Sequence, residues 1–203
     1  MPMWFTRKWD SKGIQSFRKA VLLLFMLSLA GCATFQSSDT FRDTNMDFGS
    51  IRTVEVLPFA NLSRDNAAGD RARDVFITEL LSTGAVYVVP VGEVNRGIVR
   101  AGISNPVAPS TEEIVKLGSF IKADAVITGT VKEYGEVRSG SAVGNVISLS
   151  LQMMETQTGR VIWSASTTKG GVGVTDRLFG GGGVPMNVIT EKAIDELINK
   201  LLP

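Results

Sequence analysis

Apolar and polar residues alternate most regularly over Asn145–Met153, where Ile147, Leu149, Leu151 and Met153 share one side and Ser148, Ser150 and Gln152 the other. A period of two describes a strand with one buried face. The turn-forming Thr156-Gln157-Thr158-Gly159 then closes a hairpin onto a strand at Val161–Ala165, with Trp163 as a core anchor. Another strand is expected at Ala125–Tyr134, immediately before this pair. Together they predict an antiparallel meander.

Helical spacing frames the meander. From about Ala67 to Ser82, Ala72, Val75, Phe76, Leu80 and Thr83 recur at intervals of three and four, and Gly84 ends the run. A second helix is expected over Val91–Ala101 with Val94, Ile98 and Val99 inward, then a loop over Gly102–Pro109. Ser110-Thr111-Glu112-Glu113 has the spacing of a capping box opening a third helix, whose stripe is Ile114, Leu117 and Ile121. The fourth runs from about Met186 to Leu202, with Ile189, Ala193, Leu197 and Leu201 inward and Ile194 and Ile198 widening the stripe. Short apolar runs at Thr53–Phe59, ending in the turn Asn61-Leu62-Ser63, and at Val86–Val89 supply two further strands. The order predicts an α/β fold: one layered domain over residues 50–203, a mixed sheet ending in a meander, and about four flanking helices.

The amino-terminal pattern is of another kind. Arg7, Lys8, Lys12, Arg18 and Lys19 precede an apolar run from Ala20 to Ser28, and Leu29-Ala30-Gly31-Cys32 follows it. This is the order of a bacterial lipoprotein signal, with cleavage between Gly31 and Cys32 and lipidation at the Cys32 thiol. Only a thiol can be alkylated to the thioether that carries diacylglycerol, and Cys32 is the sole cysteine. The run is about half the ~20 residues a membrane-spanning helix needs. Ala30 and Ala33 leave ordinary secretory cleavage as the alternative. Residues 1–31 are thus expected to be removed. Residues 32–49, polar and without period, read as a flexible tether in which Phe41 and Phe48 are candidates for docking on the domain or a neighbour.

Composition narrows the chemistry. The chain of 203 residues carries a formal charge of +1, but the signal holds five basic residues and one acid, so the mature protein, with 16 basic and 19 acidic residues, is weakly acidic. Such a balance provides no clustered basic face for nucleic acid. With no histidine and the thiol committed to lipid, the familiar nucleophile and base pairs, zinc sites and redox dithiols cannot be assembled. Glu112 and Glu113 stand in a first helical turn, where carboxylates complement the helix dipole. Asp65, Asp70 and Asp74 lack the spacing of a calcium loop. The glycine clusters Gly170-Gly171-Val172-Gly173 and Gly180–Gly183 precede no Lys-Ser or Lys-Thr. The expectation is no enzyme, no cofactor and no metal.

Three stretches carry a resemblance: Val54-Glu55-Val56-Leu57-Pro58-Phe59-Ala60-Asn61, Ala123–Val131, and Thr158-Gly159-Arg160-Val161-Ile162-Trp163-Ser164. In this order, behind a lipobox, they resemble the periplasmic domain of CsgG-like lipoproteins, a group similar in fold to the TolB amino-terminal domain and to LpoB. The resemblance implies an outer-membrane lipoprotein on the periplasmic face, Ala33 rather than Asp following the cysteine. It also implies a non-enzymatic accessory role in secretion or assembly of surface structures, through binding other envelope proteins and conceivably copies of itself. An LpoB-like activator of a peptidoglycan synthase is the alternative, and an oligomeric CsgG-type channel a further one. The channel family inserts two long membrane hairpins where this chain has Val137–Gly144 and Thr167–Val184. A membrane strand takes about 9–11 residues, so the first segment is too short for a hairpin. Two or more acyl chains at Cys32 anchor stably without a protein span.

Replacing the thiol tests the anchor. Cys32→Ser is expected to accumulate as an unprocessed, unacylated precursor in the inner membrane, read by intact-mass spectrometry of the extracted protein.

Overall fold

The segment with the cleanest alternation lies inside a seven-stranded mixed sheet. In this computed structural model, which describes residues 40–140, 142–171 and 183–202, the strands are β1 (Thr40–Arg42), β2 (Thr53–Val56), β3 (Ala60–Asn61), β4 (Tyr87–Val88), β5 (Ala125–Ser139), β6 (Ala142–Glu155) and β7 (Val161–Gly170). Their order across the sheet is β1-β7-β6-β5-β2-β4, with β3 also pairing β5. The β5–β6–β7 meander is antiparallel, whereas β2 and β3 run parallel to β5, and β4 parallel to β2. The described helices are α1 (Ala68–Thr83), α2 (Val91–Ala101), α3 (Thr111–Ile121) and α4 (Met186–Leu201). The expected α/β layered domain with its meander and four helices is the observed one.

Two cores lie on opposite faces of the sheet. On the first, α1 and α4 bury Phe76, Leu80, Ile194 and Leu197 against Ile127, Leu149, Leu151 and Trp163. The α4 stripe read from sequence is buried throughout. On the second face α2 and α3 bury Val94, Ile98, Ile114 and Leu117 over Leu57, Val126 and Met154. Gly97 lets these two helices close together: a Cβ there would lie 2.4 Å from the Ile121 Cδ1.

Several expectations need correction. Val99 is 80% exposed, because α2 buries Val94, Gly97, Ile98 and Ala101 and turns Val99 outward. Thr83 is exposed too, at the end of α1. The strand expected at Ala125–Tyr134 runs on to Ser139 and the one expected at Asn145–Met153 spans Ala142–Glu155, so Val137–Gly144 is the tip of one continuous hairpin. Gly140 takes φ 65° in that turn, where a side chain would be strained.

Residues 40–49, expected to belong to the tether, take part in the fold. Thr40–Arg42 pair with Trp163–Ala165 as an edge strand, and Phe48–Ser50 form a 3₁₀ turn capped by the Asp47 carboxylate. The reason is that β7 offers an unpaired edge, and three residues suffice to cover it without showing a period of their own. From β1 the chain crosses beneath the ends of β7, β6 and β5 to reach β2. Along this strap the Asp43 amide donates to the Ile162 carbonyl (2.8 Å), and the Arg52 and Thr53 amides donate to the Asp124 carboxylate (2.9 and 2.8 Å).

The capping box is present as read: the Glu113 amide donates to Ser110 Oγ (3.2 Å) and the Ser110 amide to Glu113 Oε2 (2.7 Å). Ser110→Ala is therefore expected to cost about 1 kcal/mol, measured as a lowered urea midpoint with an unchanged m-value.

Candidate functional site

Cys32 and Gly31, the predicted lipidation and cleavage residues, lie outside the described residues, as do Val172, Gly173 and Gly180–Gly182 of the glycine clusters. The other sequence candidates are structural in what they touch. Glu112 accepts from Ser110 Oγ (2.8 Å) at the start of α3. Asp65 accepts from the Ala67 amide (2.9 Å) and pairs with Arg71 (2.6 Å), while Asp70 and Asp74 point to solvent from α1. Among the described residues no three carboxylates, cysteines or histidines come together to hold a metal.

What the fold does assemble is a bare sheet face. The helices α2 and α3 cover only the β2–β5 end of the second face, and across the meander it carries the polar half of the alternation. Register aligns Thr128, Gln152, Ser164 and Phe41 in one row and Thr130, Ser150 and Ser166 in the next. Thr168 donates across β6 and β7 to Ser148 (3.0 Å). These two rows hold no charge, and Phe41, 51% exposed, stands at their β1 end. The loop Val107–Pro109 borders the face and forms with it a groove of about 340 Å³. The two rows are short in side chain and uncharged, so contact of another protein with them would desolvate no ion and immobilise few rotamers, while Glu133 stands beside Ser148 in the row beyond.

A second feature lies on the other side of the sheet. Beneath the strap, where the carboxyl ends of α1 and α4 meet the first turns of β2 and β5, is an apolar cavity of about 280 Å³. Its floor is Val54, Leu80, Ile127 and Met153, all buried, and partly exposed Arg42, Gly49, Val86 and Leu202 form the rim. Arg42 is fixed there: Nη1 donates to the Leu201 carbonyl (2.9 Å), and its guanidinium carbon lies 3.7 Å from the centre of the Phe48 ring. A sealed void of this size would cost about 7 kcal/mol, a large part of the roughly 5–15 kcal/mol by which domains are stable.

Two ionisable groups are buried, and a third is half-buried, in ways the hydrophobic pattern did not announce. Glu55 is fully buried between Val54 and Val56, and register sets it beside Val126 under α2 and α3. Neither of its carboxyl oxygens has a hydrogen-bond partner among the described residues, and burial pushes its pKa up to about 8. It is a neutral acid at pH 7. Arg73, on α1, donates through Nε and Nη2 to the Val56 carbonyl (3.2 and 2.6 Å), satisfying the acceptor where β2 gives way to β3. On the first face Glu196 pairs with Lys169 and Lys200 and accepts from Thr167. Burial alone would raise its pKa, but the two ammonium groups and the Thr167 hydroxyl hold it down to about 2. Glu55 had a signal that went unread: inside a doubly covered parallel strand, which is normally apolar throughout, a single acid stands out.

This architecture defines the class first, a single-domain α/β protein with one open sheet face. The chain belongs to the GNA1162-like lipoprotein family, whose model matches residues 44–201. No protein with a curated description matches it in sequence. Among solved structures it is similar to lipoprotein GNA1162 from Neisseria meningitidis, at 20% identity and a TM-score of 0.54, covering 74% of this chain and 97% of that one. The PelC dodecamer from Paraburkholderia phytofirmans gives 15% identity and a TM-score of 0.53, covering 82% and 97%. The LpoB carboxy-terminal domain from Salmonella enterica gives 16% identity and a TM-score of 0.48, covering 63% and 87%. The lipoprotein character that the resemblance read from sequence implied is shared by this family.

The buried acid leaves a pH signature. Because its folded pKa is raised, the native state holds the Glu55 proton more tightly than the unfolded chain does. The associated stability is complete below about pH 4.5 and is lost as pH rises towards 8, at up to about 1.4 kcal/mol per pH unit. Glu55→Leu is expected to flatten that decline and to be the more stable protein at pH 8, measured by urea denaturation at pH 5 and pH 8.

Proposed function

We propose that this chain is a non-enzymatic envelope lipoprotein, acylated at Cys32 and held at the periplasmic face of the outer membrane, that works by binding proteins. Its role is accessory to secretion or to assembly of surface structures, and its partners include further copies of itself. The observation that carries this reading is the uncharged sheet face across β5, β6 and β7. A four-strand surface of Ser, Thr and Gln side chains with Phe41 at its edge is suited to close approach by a second protein layer. Membership of a lipoprotein family and the signal ending at Cys32 support the anchored state.

Self-association gains support from PelC, which shares the fold and whose structure is a dodecamer. The β5–β6 hairpin does not favour a self-made pore. Beyond the Val146–Gly170 pairing it extends only four residues per strand, Glu136–Ser139 against Ala142–Asn145. Asn145 Nδ2 there donates to the Val184 carbonyl (3.0 Å). A bilayer needs about twice that length.

A charge placed on the open face tests the reading. Wild-type protein in detergent is expected to run as an oligomer in mass photometry, and Ser150→Arg with Gln152→Arg to run as monomers with the same circular dichroism. Crosslinking in intact cells is expected to join the wild-type chain to an export component. A monomeric wild type that recovers only a peptidoglycan synthase would replace this reading with that of a synthase regulator.

A further inference from the structure

We propose that the cavity beneath the strap binds the hydrocarbon tail of a long-chain fatty carboxylate, with Arg42 holding the carboxylate at the rim. The walls decide the tail: Phe48, Ile51, Val54, Leu80, Ile127 and Met153 present hydrocarbon and thioether surface with no side chain able to accept or donate strongly. At about 280 Å³ the space lies at the lower end of ligand cavities, which run from about 300 to 1,000 Å³, and suits a slender chain over a fused-ring ligand.

The rim decides the head. Arg42 is the sole charged residue lining the cavity, and among the described residues no carboxylate lies within ion-pair distance of it. Its plane is held by the Leu201 carbonyl and the Phe48 ring, which leaves guanidinium N–H groups to spare for a planar anion of carboxylate geometry. A neutral lipid would leave that charge uncompensated at the mouth of an apolar space. Binding is expected to strengthen about fourfold for each methylene buried.

The test uses the full lipidated chain in phosphatidylcholine nanodiscs with palmitate carrying a terminal diazirine. Irradiation is expected to label the peptides that contain Leu80, Ile127 and Met153, and unlabelled palmitate to compete more strongly than octanoate. Val86→Trp, which sets an indole at the rim, should lower labelling about tenfold while keeping the wild-type melting curve. If that variant fails to fold, Gly49→Leu, on the exposed side of the rim, serves in its place. Arg42→Gln should lower palmitate labelling about tenfold and leave labelling by the matching diazirine alcohol unchanged. Labelling spread evenly over the surface, or unaffected by the rim variants, overturns the site. Equal loss of acid and alcohol in Arg42→Gln overturns the role given to the guanidinium.

Discussion

Everything else in this domain follows from the burial of one face of the β5–β6–β7 meander under α1 and α4. Leu149, Leu151, Ile127 and Trp163 on the sheet, with Phe76, Leu80, Ile194 and Leu197 on the helices, form the larger of the two cores. Because side chains alternate along a strand, packing that face forces Ser148, Ser150, Gln152, Ser164 and Ser166 to the other. The open surface is thus the obligatory reverse of the core and needs no separate design to appear. What does need explanation is that it stays open, since α2 and α3 reach the meander only at Val126 near the start of β5 and Met154 near the end of β6.

The strap follows from the same geometry. Closing a helix-on-sheet layer leaves its ends exposed, and the segment from Asp43 to Arg52 covers one of them. It is fastened at both sides, by Arg160 to Asp43 (2.9 Å) at the β6–β7 turn and by the Asp124 carboxylate at the start of β5. Exposed ion pairs contribute little, so the fastening rests mainly on the amide bonds and on Phe48 and Ile51 packing inward. The cavity is the part of that end which the strap spans without filling.

How far the sequence could be read depended on repetition. Elements with three or more periods were legible: α2 over Val91–Ala101, the α4 stripe and the alternation of β6 all lie where the pattern put them. Elements with less than one period were not. Thr40–Arg42 became a strand only because β7 offers it an edge, and that partner lies more than a hundred residues away. The polar side of β6 was read correctly as the opposite face, yet nothing local says that no helix covers it. The cavity has no sequence signature, being set by the meeting of five separated segments.

Glu55 shows where the fold carries its electrostatic cost. At the margin of the larger core the half-buried carboxylate of Glu196 is satisfied by Lys169, Lys200 and Thr167. The smaller core instead encloses a carboxyl with no partner among the described residues, and copes by keeping it protonated. An acid at that point is opposed by the hydrophobic pattern on both sides of it, since Val54, Val56 and Leu57 are all buried. Replacing it with an apolar residue would relieve the strand, so packing gives no reason for its presence. Glu55 is therefore the group through which the domain's stability falls as pH rises from about 4.5 towards 8, whereas Glu196, held down to about 2 by its ammonium and hydroxyl partners, stays ionised across that range.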